Sequence, residues 1–137
     1  MANRPVFILD SFALLAFLQG KAGMGRVQEA LEAAQKNRAQ VMMCIINLGE
    51  VLYIIEREKG LAKAHETLSV IQQLPIEIIS VDDQTVLAAA HIKANHALSY
   101  ADAFAVVCAQ NIGGTVLTGD KEFDSVASFI AIEWLPK

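Results

Sequence analysis

Apolar and polar residues change period several times along this 137-residue chain. Residues 5–9, "PVFIL", form a short apolar run rich in β-branched and aromatic side chains, which predicts a buried strand. Residues 11–20, "SFALLAFLQG", then read as a helix closed by Gly20. Over 25–37, Val27, Leu31 and Ala34 fall on one face of a second helix. "QVMMCI" (40–45) is another strand. Residues 47–60 form a helix with Leu48, Val51, Leu52 and Ile55 on its inner stripe. A helix over 61–74 stops at Pro75, and "IEIISV" (76–81) is a strand. Helices follow over 82–97 and 99–111, then strands over 115–118 and 129–134.

Strands that alternate with helices predict an α/β fold, a three-layer α/β/α sandwich around a mostly parallel sheet. Neither a repeat nor a linker interrupts the pattern, so residues 1–137 read as a single domain. Right-handed crossovers bring the C-terminal ends of the strands to one edge, where ligands of open α/β sheets bind.

Composition adds three constraints. Hydrophobic residues make up 54% of the chain and charged residues 19%. That apolar excess predicts a surface for self-association or a partner. No apolar run reaches the length of a membrane span, and the N-terminal segment lacks the ordered regions of a signal peptide, so a cytoplasmic protein is expected. Cys44 and Cys108 each sit in apolar sequence and read as free buried thiols. The net charge of −4 argues against a nonspecific duplex-DNA binder.

The acids carry the chemistry. Asp10 and Asp120 each follow a predicted strand, and Glu50 and Asp102 each lie three residues after a predicted cap, Asn47 and Ser99. Each alone has an ordinary reading as a capping residue or a dipole partner, at about 1 kcal/mol. Their surroundings point elsewhere. Glu50 precedes "VLYII" and Asp102 lies within "ADAFAVVCA", and neither Lys nor Arg occurs in 41–55 or 94–120. A carboxylate drawn into apolar sequence must be neutralised, hydrogen-bonded or metal-bound. Oxygen ligands suit Mg²⁺ or Mn²⁺, whereas His65, His91 and His96 lack zinc-site spacing. "GKAGMG" lacks the Gly-Lys-Ser/Thr of a phosphate loop, and Phe12 stands where a dehalogenase-type phosphatase needs a second Asp.

The order "ILDS", "NLGEV", "LSYADAFAVVCAQ", "VLTGDKEFD" resembles the PIN domain family, and within it the VapC-type toxin ribonucleases. The resemblance covers essentially the whole chain. It implies that Asp10, Glu50, Asp102 and Asp120 form an acidic catalytic quartet binding Mg²⁺ or Mn²⁺, with Asp124 a further acid. It matches Ser11 and Thr118 to small hydroxyl residues that steady the carboxylates. Asn47 stands where members often carry Ser or Thr. It also implies a homodimer and a small antitoxin protein as partners. The expected reaction is metal-assisted hydrolysis of RNA phosphodiesters, with Lys121 and Tyr100 as substrate contacts. The competing expectations are a noncatalytic PIN-fold binding module and a housekeeping PIN nuclease without an antitoxin.

Overall fold

A computed structural model describes residues 4–136. Its five strands are β1 (Val6–Leu9), β2 (Gln40–Cys44), β3 (Glu77–Ile79), β4 (Thr115–Thr118) and β5 (Ala131–Trp134). They form one sheet in the order β3-β2-β1-β4-β5, and every pairing is parallel. The helices are α1 (Ser11–Leu18), α2 (Met24–Gln35), α3 (Ile45–Lys59), α4 (Leu61–Gln72), α5 (Asp83–Asn95) and α6 (Tyr100–Ile112), with a short 3₁₀ helix at Lys121–Val126. The expected layered α/β architecture is present.

Side chains alternate across the sheet because successive strand residues point to opposite faces. Ile8 and Val116 enter the core formed with α5 and α6, which includes Ala105, Val106 and Phe123. Leu9 and Leu117 enter the opposite core, with Leu14, Val27, Val51 and Ile71 from α1, α2, α3 and α4. With both faces covered, the central strand β1 is continuously apolar, while the edge strands β3 and β5 carry Glu77 and Glu133.

Three local details depart from the sequence reading. α3 starts at Ile45 with Cys44 as its cap, so Asn47 lies inside the first turn and does not cap the helix. The last strand begins at Ala131 rather than at residue 129, because pairing with β4 starts at Thr115↔Ala131. The segment after β4 winds into the 3₁₀ helix. Elsewhere, Gly60 adopts φ +91° and joins α3 directly to α4. A side chain there would be strained in that backbone region.

Cys44 and Cys108 are free and buried. No helix among the described residues is long and apolar enough to cross a membrane. Part of the apolar excess remains at the surface. Tyr53, Leu61, Val70, Ile78 and Leu87 are exposed. A groove of about 550 Å³ opens between α3, α4 and the β3 edge, lined by Leu48, Leu52, Leu68, Ile71 and Ile76 among others.

Candidate active site

β1 lies at the centre of the sheet. The chain first builds outward to β2 and β3, then returns through α5 and α6 to place β4 on the other side of β1. The crevice at this reversal, beyond the strands' C-terminal ends, is the usual ligand position of an open α/β sheet. Asp10 leaves β1 there and Asp120 follows β4.

Asp10 is completely buried. Its Oδ1 accepts from Ala13 N at 2.8 Å and so caps α1, while its Oδ2 accepts a short bond from the Thr118 hydroxyl. Thr118 Oγ1 in turn accepts from Asp120 N at 2.9 Å. One hydroxyl thus locks the two strand-end acids to each other. Asp120 Oδ1 accepts from Glu122 N at 2.9 Å and caps the 3₁₀ helix. The cap reading therefore holds for Asp10 and Asp120; both oxygens of Asp10 already accept a hydrogen bond, whereas Asp120 keeps Oδ2 for other work.

The two predicted capping boxes resolve differently. Ser99 Oγ accepts from Asp102 N at 3.1 Å, as half of such a box requires. The reciprocal half, however, comes from Glu122, whose Oε1 accepts from Ser99 N at 3.1 Å. Asp102 is thereby released from capping. Its carboxylate lies with those of Asp120 and Glu122, with one oxygen of each within 4.8 Å of the others. Asn47 forms no box with Glu50. Its Nδ2 donates to Ala101 O at 3.1 Å, fastening α3 beside Asp102, and its buried Oδ1 has no partner among the described residues. Ser11 Oγ donates to Asn47 O at 3.2 Å and extends the same bracing to α1.

The electrostatics follow from this crowding. Burial raises the Asp10 carboxyl to about 7, against the lowering bonds from Thr118 and Ala13, and the charges of Asp120 and Glu50 push the same way. Asp102 is raised to about 8, first by burial and then by the charges of Asp10 and Asp120. Asp10 and Glu50 lie outside the group of three carboxylate oxygens; Glu50 acts on Asp10 only as the weaker of two neighbouring charges, and its Oε2 is loosely met by the Tyr53 hydroxyl at 3.5 Å. Among the described residues, the ion pairs are Arg26 with Glu29 and Glu133, and Lys63 with Glu66, and none reaches these acids. Buried like charges without a counter-cation are costly. The donor set is entirely oxygen and fits a hard divalent cation. His65 and His91 are exposed, and His96 bonds Ser125 O, so imidazole has no part in it.

Asp124 is exposed and lies outside the three-acid group that contains Glu122. Glu122 is the acid that sequence reasoning passed over; its signal was the spacing of two residues from Asp120. Lys121 is exposed at the start of the 3₁₀ helix. Tyr100 is 45% exposed, with its ring edge-on to Phe104 at 5.0 Å.

The PIN domain family model matches residues 7–128, a span that contains every acid of this cluster. The chain belongs to the PIN domain family. No curated protein matches the chain by sequence. Solved structures that share the PIN fold of this chain include VapBC2 from Rickettsia felis bound to a DNA fragment from its promoter. That match has 14% identity over 96% of this chain and 99% of the other, with a TM-score of 0.73. The sarcin-ricin loop cleaving toxin VapC20 from Mycobacterium tuberculosis is 18% identical over 95% and 99%, with a TM-score of 0.72. DNA-bound VapBC from Salmonella typhimurium is 18% identical over 94% and 97%, with a TM-score of 0.70.

Proposed function

We propose that this PIN domain is a Mg²⁺- or Mn²⁺-dependent endoribonuclease and acts as the toxin of a toxin–antitoxin pair. The observation that carries the reading is the grouping of Asp102, Asp120 and Glu122, with buried Asp10 tied to Asp120 through Thr118, without a cationic partner among the described residues. Asp10, Asp102 and Asp120 hold the cation, with Glu122 beside them. A bound divalent ion supplies polarisation of the phosphoryl oxygen, a more acidic water and charge relief at the leaving oxygen. Glu50, at the rim of the cluster, orients the attacking water or adds a ligand. Thr118 keeps Asp10 and Asp120 in register, and Ser11 and Asn47 brace the backbones that carry Asp10 and Asp102. Lys121 and Tyr100 contact the RNA at the rim.

The partner reading is supported by the apolar groove beside α3 and α4 and by the solved relatives, several of which are VapBC complexes. The groove accepts an apolar helix of a small antitoxin, and a second copy of the chain covers further exposed apolar surface. A cytoplasmic location suits both the RNA substrate and the free thiols.

Incubating the protein with total cellular RNA, with Mg²⁺ or Mn²⁺ and with EDTA, tests the activity. Discrete new 5′ ends that vanish in EDTA are expected, and intact RNA in every lane would sink the reading. Thr118→Val keeps the side-chain volume and removes both hydroxyl bonds. It should slow cleavage about 10–100-fold, as loss of a residue that orients metal ligands does. A rate within twofold of wild type would remove Thr118 from the site. Glu122→Gln should weaken Mn²⁺ binding in calorimetry by about tenfold, whereas Asp124→Asn should leave it unchanged. The reverse ranking would reassign the outer acid.

A further inference from the structure

Next to the acidic cluster an open cleft of about 390 Å³ is lined by Phe12, Lys21, Ala22, Gly23, Gly119 and Pro136. Its walls grow from the same strand ends as two of the acids. Phe12 lies two residues past Asp10, and Gly119 immediately precedes Asp120. The Phe12 ring rests directly on Gly119, where a Cβ would collide with its Cε1 and Cζ. Glycine at 119 is thus the condition for the ring to stand in this place. Yet Phe12 is not a core residue, since 40% of its surface stays open. Lys21, in the turn between α1 and α2, is exposed and has no carboxylate partner among the described residues. Gly23 itself is buried against Leu135, which makes the floor of the cleft firm.

A phenyl ring 40% open to solvent, an ammonium group without a carboxylate partner among the described residues and a volume within the usual range for small-ligand pockets match one chemistry. The flat apolar ring takes a nucleobase, and the ammonium takes a phosphate. We infer that this cleft is a subsite for one unpaired nucleotide beside the scissile phosphodiester, with its base stacked on Phe12 and its phosphate contacted by Lys21. The assignment rests on the nuclease reading for treating that nucleotide as part of the substrate. A base within a duplex is already stacked and paired, so the subsite selects single-stranded RNA or looped-out residues. Stacking tolerates any base, so discrimination among the four bases is weak here.

The test is a heteronuclear NMR titration of the full chain, in Mg²⁺ buffer, with the four nucleoside 5′-monophosphates and the four nucleosides. Amide shifts should concentrate at Phe12, Gly23 and Gly119. Phe12→Ala should raise the half-saturating concentration about tenfold for both ligand sets, and Phe12→Trp should hold it within about twofold. Lys21→Ala should weaken the nucleotides and leave the nucleosides unchanged. In cleavage assays Phe12→Ala should raise KM and preserve kcat. Shifts that map elsewhere, or titrations insensitive to both Phe12→Ala and Lys21→Ala, overturn the subsite. Failure of the nuclease reading looks different: the wild type cuts no RNA while the titrations still saturate at Phe12.

Discussion

Cleavage of RNA by Asp10→Asn should fall by about 10³-fold or more, while the metal-free variant melts at a higher temperature than wild type at pH 8. Asn caps a helix about as well as Asp, so the Ala13 bond that starts α1 survives the change. The amide side can face Thr118, whose hydroxyl oxygen accepts from it. What disappears is one negative charge from the centre of the cluster. On the proposed mechanism that charge helps hold the cation, whose stabilisation of the transition state is worth several kcal/mol, and about 4 kcal/mol corresponds to that rate loss. For stability the same charge is a burden, since burial and neighbouring acids hold the Asp10 carboxyl near 7. Lifting a carboxyl from 3.8 to about 7 corresponds to a cost of about 4 kcal/mol when it is fully ionised. Relaxation and the loss of one good acceptor reduce the recoverable part to about 2 kcal/mol, or several degrees in melting temperature. Asp102→Asn should behave alike, because Asp102 is raised to about 8 by burial and by Asp10 and Asp120. Full activity in both variants would exclude these acids from the chemistry. Activity lost together with stability would mean that the charges support the fold rather than strain it.

The second large effect is a dependence of stability on pH that a divalent metal counteracts. Asp10 and Asp102 bind protons more tightly in the folded chain than in the unfolded one, near 7 and 8 against 3.8. The folded state is therefore favoured while both are protonated in both states, below about pH 4. That contribution is lost as pH rises through 7 and 8, because the unfolded chain ionises first. Urea titrations in EDTA should show stability falling between pH 4 and 8. The Asp10→Asn, Asp102→Asn double variant, which retains the histidines, should show a much flatter profile. On the proposed metal reading a divalent ion binds the ionised cluster, so its affinity should rise over the same range. At a concentration 100 times its dissociation constant it adds about 2.7 kcal/mol to folding. Mg²⁺ at that concentration should thus offset part of the stability lost at pH 8 while changing little at pH 4.5. Metal-free stability that climbs from pH 4 to 8 would contradict the crowding of acids described above.

Much of this was legible before any coordinates. "TVLT" reads as a strand because four apolar or β-branched residues follow a Gly pair, and the structure places β4 on those four residues. Asp10 and Asp120 were legible as an edge pair because each interrupts an apolar run where a parallel sheet exposes its ligand side. Other features had no local signature. Asn47 resembles a cap by spacing, but the backbone of Cys44 turns directly into α3, and the amide is directed to Ala101 of a different helix. The release of Asp102 from its own capping box depends on Glu122 reaching Ser99 N from a segment 23 residues away. A six-residue 3₁₀ helix offers too short a period to decide between Glu122 and Asp124. Long-range hydrogen bonds decided these cases, and no window along the chain contains both of their ends.

The neighbouring placement of β1 and β4 sets the timing of assembly on the ribosome. Phe7 pairs with Thr115 and Leu9 with Leu117, so one edge of the first strand, whose other edge pairs with the early β2, waits for a partner synthesised near the end of the chain. Until Thr118 and Asp120 emerge, Asp10 lacks the hydroxyl that orients it and the neighbour that completes its ligand set. On the nuclease reading, a nascent or prematurely terminated polypeptide lacks half of its acidic cluster, and any capacity to cut arrives late and all at once.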